Sequence, residues 1–218
     1  ASGCKGISPC SGTMPRRDAW PAYGLAAKPA LAYNGLCYGH NQPGWPAMGP
    51  IKNGAKGVAM KGVIFLGDRE LEIRELPDPT PGPGEVVIAM KASGLCGSDL
   101  RRYRMPKAER GDPTKLKVGG HEPCGVIAQT GEGVTTVKVG DRVMMHHYSG
   151  CRTCKMCRIG YTQMCLRGSR TYGNAENGGH EDFLLAPDYT CVPLPEAMSF
   201  EEGAACACGT GTAFHALK

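Results

Sequence analysis

The chain has 218 residues, of which 41% are hydrophobic and 21% are charged, so most of it has the composition of a folded protein. No run of apolar residues approaches the roughly 18 that are needed to span a bilayer, which excludes a membrane-spanning protein. The formal net charge of +5 would by itself be compatible with a nucleic-acid partner.

The basic excess is confined to residues 1–59, which hold six Lys or Arg and a single acidic residue, Asp18. The same stretch is rich in Gly and Pro and shows neither a helical nor a strand period. It also lacks the basic and apolar regions of a secretory signal. We therefore interpret residues 1–59 as a disordered or non-native extension, with a functional basic tail as the alternative, and we expect a cytoplasmic protein.

From Met60 onward, the pattern predicts short β-strands separated by Gly and Pro turns. The predicted strands are 60–66, 71–76, 85–93, 125–128, 134–139, 141–145, 183–186 and 189–192. Helix signals appear only near the end, where Ser199 and Glu202 form a capping box and a second helix runs from about Cys208 to Lys218. Many short strands with few helices predict a mainly β fold, a small barrel or sandwich.

Four of the twelve cysteines follow the pattern C-x2-C-x2-C-x7-C: Cys151, Cys154, Cys157 and Cys165. Thiolates this close in sequence can surround one tetrahedral zinc ion at about 2.3 Å each, which leaves no position for water or substrate. The pattern therefore predicts a structural zinc site, with an iron–sulfur cluster or disulfides as the alternatives. The negative charge of such a centre would be offset by its basic neighbours, Arg152, Lys155 and Arg158.

A second group of potential metal ligands is dispersed along the chain. Cys96 follows the third predicted strand, His121 precedes the fourth, and Cys208 stands at the start of the last predicted helix. Two thiolates and an imidazole leave the fourth position of zinc open, as in catalytic sites. A helix N-terminus would lower the pKa of Cys208. Spacing alone does not distinguish this site from buried cysteines and a core histidine, and Cys206 competes with Cys208.

Residues 60–218 resemble the GroES-like catalytic domain of zinc-dependent medium-chain alcohol dehydrogenases. The resemblance rests on the four cysteines together with Gly94-Leu-Cys-Gly-Ser-Asp, Gly120-His-Glu, Val139-Gly-Asp-Arg-Val, Gly178-Gly-His-Glu-Asp-Phe and Cys208-Gly-Thr-Gly-Thr-Ala-Phe-His-Ala-Leu. It implies a GroES-like β barrel over residues 60–207. This barrel would carry a four-cysteine lobe at about 148–168, and residues 208–218 would begin the helix that leads to a cofactor domain.

The resemblance also assigns roles to individual residues. The catalytic zinc ligands would be Cys96, His121 and Cys208. Glu122 resembles the acid beside the ligand histidine, and Asp99 resembles the carboxylate that orients the imidazole of His121. Ser98 resembles the hydroxyl that passes the substrate proton toward solvent, although a simple turn after the strand would also explain Ser98 and Asp99. We interpret the pair His146-His147 as exposed or core-capping, with a substrate-cleft role as the alternative.

The implied activity is the interconversion of an alcohol and an aldehyde or ketone by hydride transfer to NAD or NADP, with one catalytic and one structural zinc. No G-x-G-x-x-G motif follows a strand here, so the sequence predicts a fragment without the Rossmann domain and without activity of its own. The full-length enzyme is expected to be a homo-oligomer that acts on small molecules, without membrane or nucleic-acid partners. A free-standing zinc-binding β module for a protein or nucleic-acid partner is the main alternative, and a zinc-free reductase relative is the other.

Overall fold

The structure, a computed structural model, describes residues 59–217. The extension predicted for residues 1–59 lies outside the described residues, apart from Ala59. The described β-strands are β1 Met60–Gly67, β2 Glu70–Leu76, β3 Glu85–Gly94, β4 Glu122–Thr130, β5 Arg142–Met145, β6 Tyr148–Ser149, β7 Arg170–Thr171, β8 Phe183–Pro187 and β9 Cys191–Pro193. The described α-helices are α1 Gly97–Arg104, α2 Lys107–Arg110, α3 Lys155–Arg158, α4 Phe200–Ala205 and α5 Gly211–Leu217. The predicted mainly β fold class is confirmed.

Five strands form one antiparallel sheet in the order β8-β3-β4-β5-β9. The interior strand β3 buries four consecutive residues, 86–89, so both faces of the sheet are covered there. The largest apolar cluster of the described residues includes Val86, Ile88, Ile127, Val143 and Leu184. The hairpin β1–β2 is tied to the segment before β8 by a bond from the Val63 amide to the His180 carbonyl (2.9 Å).

The strand predicted at 134–139 is wrong, because this segment forms turns. In a strand, Val137 and Val139 would lie on the same face of the sheet. Instead, Val137 is 9% exposed and reaches the core, whereas Val139 is 60% exposed. The Lys138 amide donates to Asp141 Oδ2 (2.9 Å), which curls the chain just before β5. The expectation that helices appear only near the end is also wrong, since α1 follows Cys96 directly.

Glu181 is a buried carboxyl next to the hairpin β1–β2, where it bridges to Gly62. Its side chain is 7% exposed, and its Oε2 atom has no hydrogen-bond partner among the described residues. Burial and then the charge of Asp182 raise the pKa of Glu181 to about 8. Folding therefore takes up a proton near neutral pH, since an exposed glutamate ionises near pH 4.5.

Because the folded-state pKa of Glu181 is raised, its contribution to stability is complete below pH 4.5 and declines as the pH rises to about 8. In the wild type, the free energy of unfolding should fall by about 1.4 kcal/mol per pH unit in that window, and we expect Glu181→Gln to remove this fall. Urea unfolding at several pH values, compared with Glu132→Gln in an exposed loop, measures the difference. Parallel pH profiles for the wild type and Glu181→Gln would contradict this expectation.

Candidate metal centres

The register of two neighbouring strands brings Cys96 and His121 together. β3 and β4 pair so that Gly94, at the end of β3, faces Glu122, at the start of β4. Cys96 lies just beyond the end of β3 and His121 just before the start of β4, so both lie at the same end of this strand pair. An antiparallel pair places such residues side by side whatever their separation in sequence.

The Asp99 carboxylate contacts the His121 ring on its Nδ1 side. Oδ1 of Asp99 lies 3.2 Å from Nδ1 of His121, and Oδ2 accepts the Cys96 amide at 3.0 Å. Asp99 is fully buried, and Arg102 Nη1 lies 3.5 Å from the same carboxylate. Burial alone would raise the pKa of Asp99, but the hydrogen bond and charge of His121 outweigh it and lower that pKa. The same contact raises the pKa of His121 and orients its ring.

The C-terminal helical segment brings Cys208 close to Cys96 and His121. The predicted capping box is confirmed: the Ser199 amide donates to Glu202 Oε2 (2.7 Å), and the Glu202 amide donates to Ser199 Oγ (3.2 Å). α4 then lies so close to β4 that a Cβ on Gly203 would approach Cys124 Sγ to 2.6 Å. A π-helical turn over Cys206–Thr210 follows, a feature that is frequent at functional sites.

The predicted low pKa of Cys208 is wrong. The helical segment begins at Phe200 and continues through Cys208, so this thiol does not lie at a helix N-terminus. Burial, and then the charges of Cys96 and Glu122, raise the pKa of Cys208 to about 11. A cation between these groups would reverse the electrostatic balance and favour the thiolate.

The structure groups Cys96, His121, Glu122 and Cys208, with one potential ligand atom from each within 4.8 Å of all the others. Cys206 is not in this group and instead lines a neighbouring cavity. Tetrahedral zinc would hold two sulfur ligands about 3.8 Å apart, so the cluster has a suitable size. Asp99 occupies the Nδ1 side of His121, which leaves Nε2 for a metal. The donor set therefore fits a zinc ion.

Gly94 makes room for Glu122 beside this cluster. A Cβ on Gly94 would lie 1.9 Å from Glu122 Oε2, so any side chain at residue 94 must displace this carboxylate. Glu122 itself is 8% exposed. The glycine is therefore required by the position of a neighbouring side chain and not by a positive φ angle.

Gly94→Ala is expected to weaken metal binding at the Cys96 cluster by about ten- to hundredfold, because it displaces a carboxylate that borders the ligands. Competition with a chromophoric chelator measures this loss. Gly97→Ala is the matched control, since a Cβ on Gly97 meets no atom within 4 Å. Equal metal affinities for the two variants would show that the position of Glu122 does not matter for the site.

Ser98 and His147 both contact the His121 ring. Ser98 is exposed, and its Oγ lies 3.3 Å from Nε2 of His121. His147 is 7% exposed, and its ring meets that of His121 edge to face with centroids 5.0 Å apart. Burial, then the nearby His121, lowers the pKa of His147 to about 4, so this ring is neutral. No spacing pattern signals this contact of His147, because only the tertiary fold creates it.

The other cluster comprises Cys151, Cys154, Cys157 and Cys165, whose sulfur atoms lie within 4.8 Å of one another. Backbone amides point at these sulfurs: the amide of Cys151 donates to Cys165 Sγ (3.3 Å), and that of Cys154 donates to Cys151 Sγ (3.4 Å). Hydrogen bonds from the Thr153 hydroxyl and from the backbone amides of Thr153 and Cys154 lower the pKa of Cys151 to about 5. Burial raises the pKa of Cys157 to about 12, and only a bound cation would make it a thiolate. Four sulfurs in this arrangement fit a tetrahedral zinc ion.

Tyr189 attaches this lobe to the sheet. Its hydroxyl accepts the Gly150 amide (3.1 Å) and donates to the Gly150 carbonyl (2.9 Å). The guanidinium of Arg152 lies 4.7 Å above the Tyr189 ring. A Cβ on Gly150 would come within 2.6 Å of Cys157 Sγ, so a glycine is needed where the chain enters the lobe. Lobe and sheet thus share a rigid junction.

Known proteins are similar to this chain in sequence and in fold. The family model of the alcohol dehydrogenase GroES-like domain matches residues 82–196. The zinc-type alcohol dehydrogenase-like protein YphC of Escherichia coli is 41% identical over 164 residues, which are 72% of this chain and 46% of YphC. An alcohol dehydrogenase of Geobacillus stearothermophilus is 37% identical over 155 residues, 69% of this chain and 44% of that protein. The chain therefore belongs to the zinc-dependent medium-chain alcohol dehydrogenase family.

Solved structures agree with this membership. An acetophenone reductase from Geotrichum candidum in complex with NAD gives a TM-score of 0.64 at 28% identity, covering 75% of this chain and 48% of that one. An Escherichia coli alcohol dehydrogenase in complex with NADH gives a TM-score of 0.60 at 32% identity, and the match covers 68% of this chain and 42% of that one. This chain spans about half the length of the curated relatives that it matches. Among the described residues, no helix combines the length and apolar character needed to cross a membrane.

Proposed function

We propose that this chain supplies the metal-binding domain of an oxidoreductase that interconverts an alcohol and an aldehyde or ketone, with NAD or NADP as hydride acceptor or donor. The observation that carries the proposal is the convergence of Cys96, His121 and Cys208 beside Glu122, with Asp99 behind the histidine. Two thiolates and one imidazole leave a zinc ion an open position. The relative YphC, which is named as a zinc-type dehydrogenase, and the neighbours solved with NAD or NADH support this proposal.

Zinc held at the Cys96 cluster would supply a Lewis acid that lowers the pKa of the substrate hydroxyl. Asp99 keeps the Nδ1 proton of His121 in place, so Nε2 presents its lone pair to the metal. Ser98 Oγ, which is 3.3 Å from that nitrogen and exposed, accepts the substrate proton and passes it to solvent. Hydride transfer is the chemistry of the nicotinamide, which a dinucleotide-binding domain must position.

We further propose that the four-cysteine lobe holds a second, structural zinc ion. Its four sulfurs occupy all tetrahedral positions, so this ion would have no access to substrate. The domain organisation proposed from the sequence follows: the catalytic domain over residues 60–207, with the lobe at about 148–168, leads into the helix of residues 208–218. The active form is proposed to be a homo-oligomer that combines this domain with a dinucleotide-binding domain.

The experiment that tests the function joins this chain to the part of YphC that it does not match and measures alcohol-dependent reduction of NAD⁺ or NADP⁺. We expect zinc-dependent turnover, and Ser98→Ala is expected to lower kcat by roughly 10²-fold because it removes the proton acceptor. Thr114→Ala, in an exposed turn away from the cluster, is the control. A chimera that binds nucleotide and zinc but does not turn over any of a panel of primary, secondary and polyhydric alcohols would contradict the proposal.

A further inference from the structure

A cavity of about 490 Å³ is lined by residues of the hairpin β1–β2, of the turn Pro113–Lys115 and of β8. None of the described residues that line it belongs to the Cys96 cluster or to the four-cysteine cluster. Its volume falls in the usual range for small-molecule sites. The cavity is therefore a candidate binding site that is separate from both proposed metal centres.

The wall of this cavity contains a buried carboxyl group, that of Glu181. The side chain is 7% exposed, and its Oε2 atom has no hydrogen-bond partner among the described residues. A Cβ on Gly62 would lie 3.0 Å from Leu76 Cδ1 and 3.4 Å from Glu181 Cβ, so Glu181 and Leu76 lie on the same side of the hairpin, the side of the cavity. A buried acceptor without a donor is costly, and a ligand with an N–H donor would remove this cost.

A positively charged donor suits Glu181 better than a neutral one. Burial, and then the charge of Asp182, raise the pKa of Glu181 to about 8, and a cation beside the carboxyl would favour its ionised form. Hydrogen bonds that involve charged groups are roughly twice as strong as those between neutral groups. Within residues 59–217, no Lys or Arg forms an ion pair with Glu181, so a ligand must bring the cation.

Much of the remaining wall is apolar. Leu76 comes from β2, and Phe183 and Leu185 come from β8. Phe183 and Leu185 are two positions apart in a strand, so their side chains project from the same face. An alkyl chain that packs against these side chains would be removed from water, which is favourable.

Most of the other charged groups that line the cavity already have partners. Arg74 donates two hydrogen bonds to Glu72, both of 2.9 Å, and Arg170 Nη1 lies 3.9 Å from Glu176 Oε1. Glu85 Oε2 accepts a backbone amide at 3.1 Å. These groups are thus satisfied within the protein.

Lys115 and Lys117 are the cavity-lining cations that are most available to a ligand. Lys117 is exposed and has no ion pair in the part of the chain that the structure describes. Lys115 is 83% exposed, and its Nζ lies 3.8 Å from Asp112 Oδ2, a long and solvent-exposed contact. An anionic group on a ligand would therefore find two cations that are two positions apart in the chain.

We infer that this cavity binds an ω-amino acid, a molecule with an ammonium group at one end of an alkyl chain and a carboxylate at the other. The ammonium group pairs with Glu181, and the alkyl chain packs against Leu76 and Phe183. The carboxylate pairs with Lys115 and Lys117. An alkylamine would face these lysines without an anion to offset them, and an alkyl carboxylate would leave Glu181 Oε2 without a donor.

The test titrates the full, zinc-loaded chain with the ω-amino acids from 4-aminobutanoate to 8-aminooctanoate and follows binding by ligand-observed NMR. The alkylamine and the alkyl carboxylate of the same chain length are the matched probes, since each lacks one of the two charges. We expect the best-fitting ω-amino acid to bind at least about tenfold more tightly than either matched probe. The inference is overturned if no member of the series binds, or if a matched probe binds as tightly.

Variants at the two ends of the cavity locate the binding. Glu181→Gln keeps the shape of the side chain, and we expect the ω-amino acid to bind to it no more tightly than the matched carboxylate does. Glu132→Gln, in an exposed loop, should keep the wild-type preference. Unchanged binding in Glu181→Gln would overturn the inference.

Lys117→Gln tests the other end without touching a buried group. We expect it to weaken binding of the ω-amino acid by about threefold and to leave binding of the matched alkylamine unweakened, because one exposed cation is lost. Lys138→Gln removes the same charge from an exposed lysine that does not line the cavity, and it should bind like the wild type. Equal affinities for Lys117→Gln and Lys138→Gln would show that the carboxylate does not lie at this end, which overturns the inference.

Discussion

Replacing Cys96 with serine is expected to lower the zinc content of the purified chain from two ions to one. Cys96 supplies one of the two thiolates of the proposed open site. The hydrogen bond from its backbone amide to Asp99 Oδ2 (3.0 Å) places it beside His121. The four-cysteine lobe does not use Cys96, so it should keep its ion. Elemental analysis after gel filtration gives the number of zinc ions per chain directly.

Cys206→Ser is the matched control for Cys96→Ser. Cys206 is half-buried and lies two positions from Cys208, but its sulfur is outside the Cys96 cluster. This variant should therefore keep both zinc ions. Loss of one ion in Cys206→Ser together with full zinc content in Cys96→Ser would show that the ligand set is wrong.

Replacing Cys157 with alanine has the largest expected effect on stability. Cys157 is 9% exposed at the centre of the four-cysteine cluster, and three sulfurs alone would not retain a structural zinc. We expect the lobe to unfold and the free energy of unfolding to fall by more than about 4 kcal/mol, as for other losses of a structural metal. Chemical denaturation in the presence of zinc measures this change.

Cys191→Ala separates the loss of a ligand from the loss of a buried thiol. Cys191 is also 9% exposed, and burial likewise raises its pKa to about 12, but it belongs to neither cluster. We expect its replacement to cost about 1–2 kcal/mol through lost packing only. If Cys157→Ala were as mild as Cys191→Ala, the lobe would not depend on a metal for its stability.

The lobe could be predicted from spacing alone, whereas the Cys96 cluster could not. The four cysteines of the lobe lie within one short stretch, so their separation in sequence limits their separation in space. Cys96 and His121 meet only because Gly94 pairs with Glu122 across two strands, and Cys208 arrives from a distant helix. For these residues, the motifs shared with a known family carried information that spacing and periodicity do not contain.

The errors in the sequence analysis have common physical causes. Residues 134–139 alternate like a strand, but Val134 and Val137 pack at the core while Val139 is exposed, and the turn at Lys138–Asp141 decides the local conformation. Cys208 was expected to begin a helix, but the capping box at Ser199 starts it earlier, which places the thiol inside a π-helical turn. In both cases a local hydrogen bond between residues three positions apart decides the conformation, and hydrophobic periodicity does not reveal it.

If this chain holds one open and one closed metal centre, the visible spectrum of the cobalt-substituted chain should distinguish the two. Cobalt in tetrahedral thiolate sites gives absorption bands that change when a new ligand binds. Titration with imidazole should shift the bands of the Cys96 cluster only, and the shift should disappear in Cys96→Ser. A spectrum that imidazole leaves unchanged, or a shift that persists in Cys96→Ser, would contradict this arrangement and favour a zinc-binding module without a catalytic site.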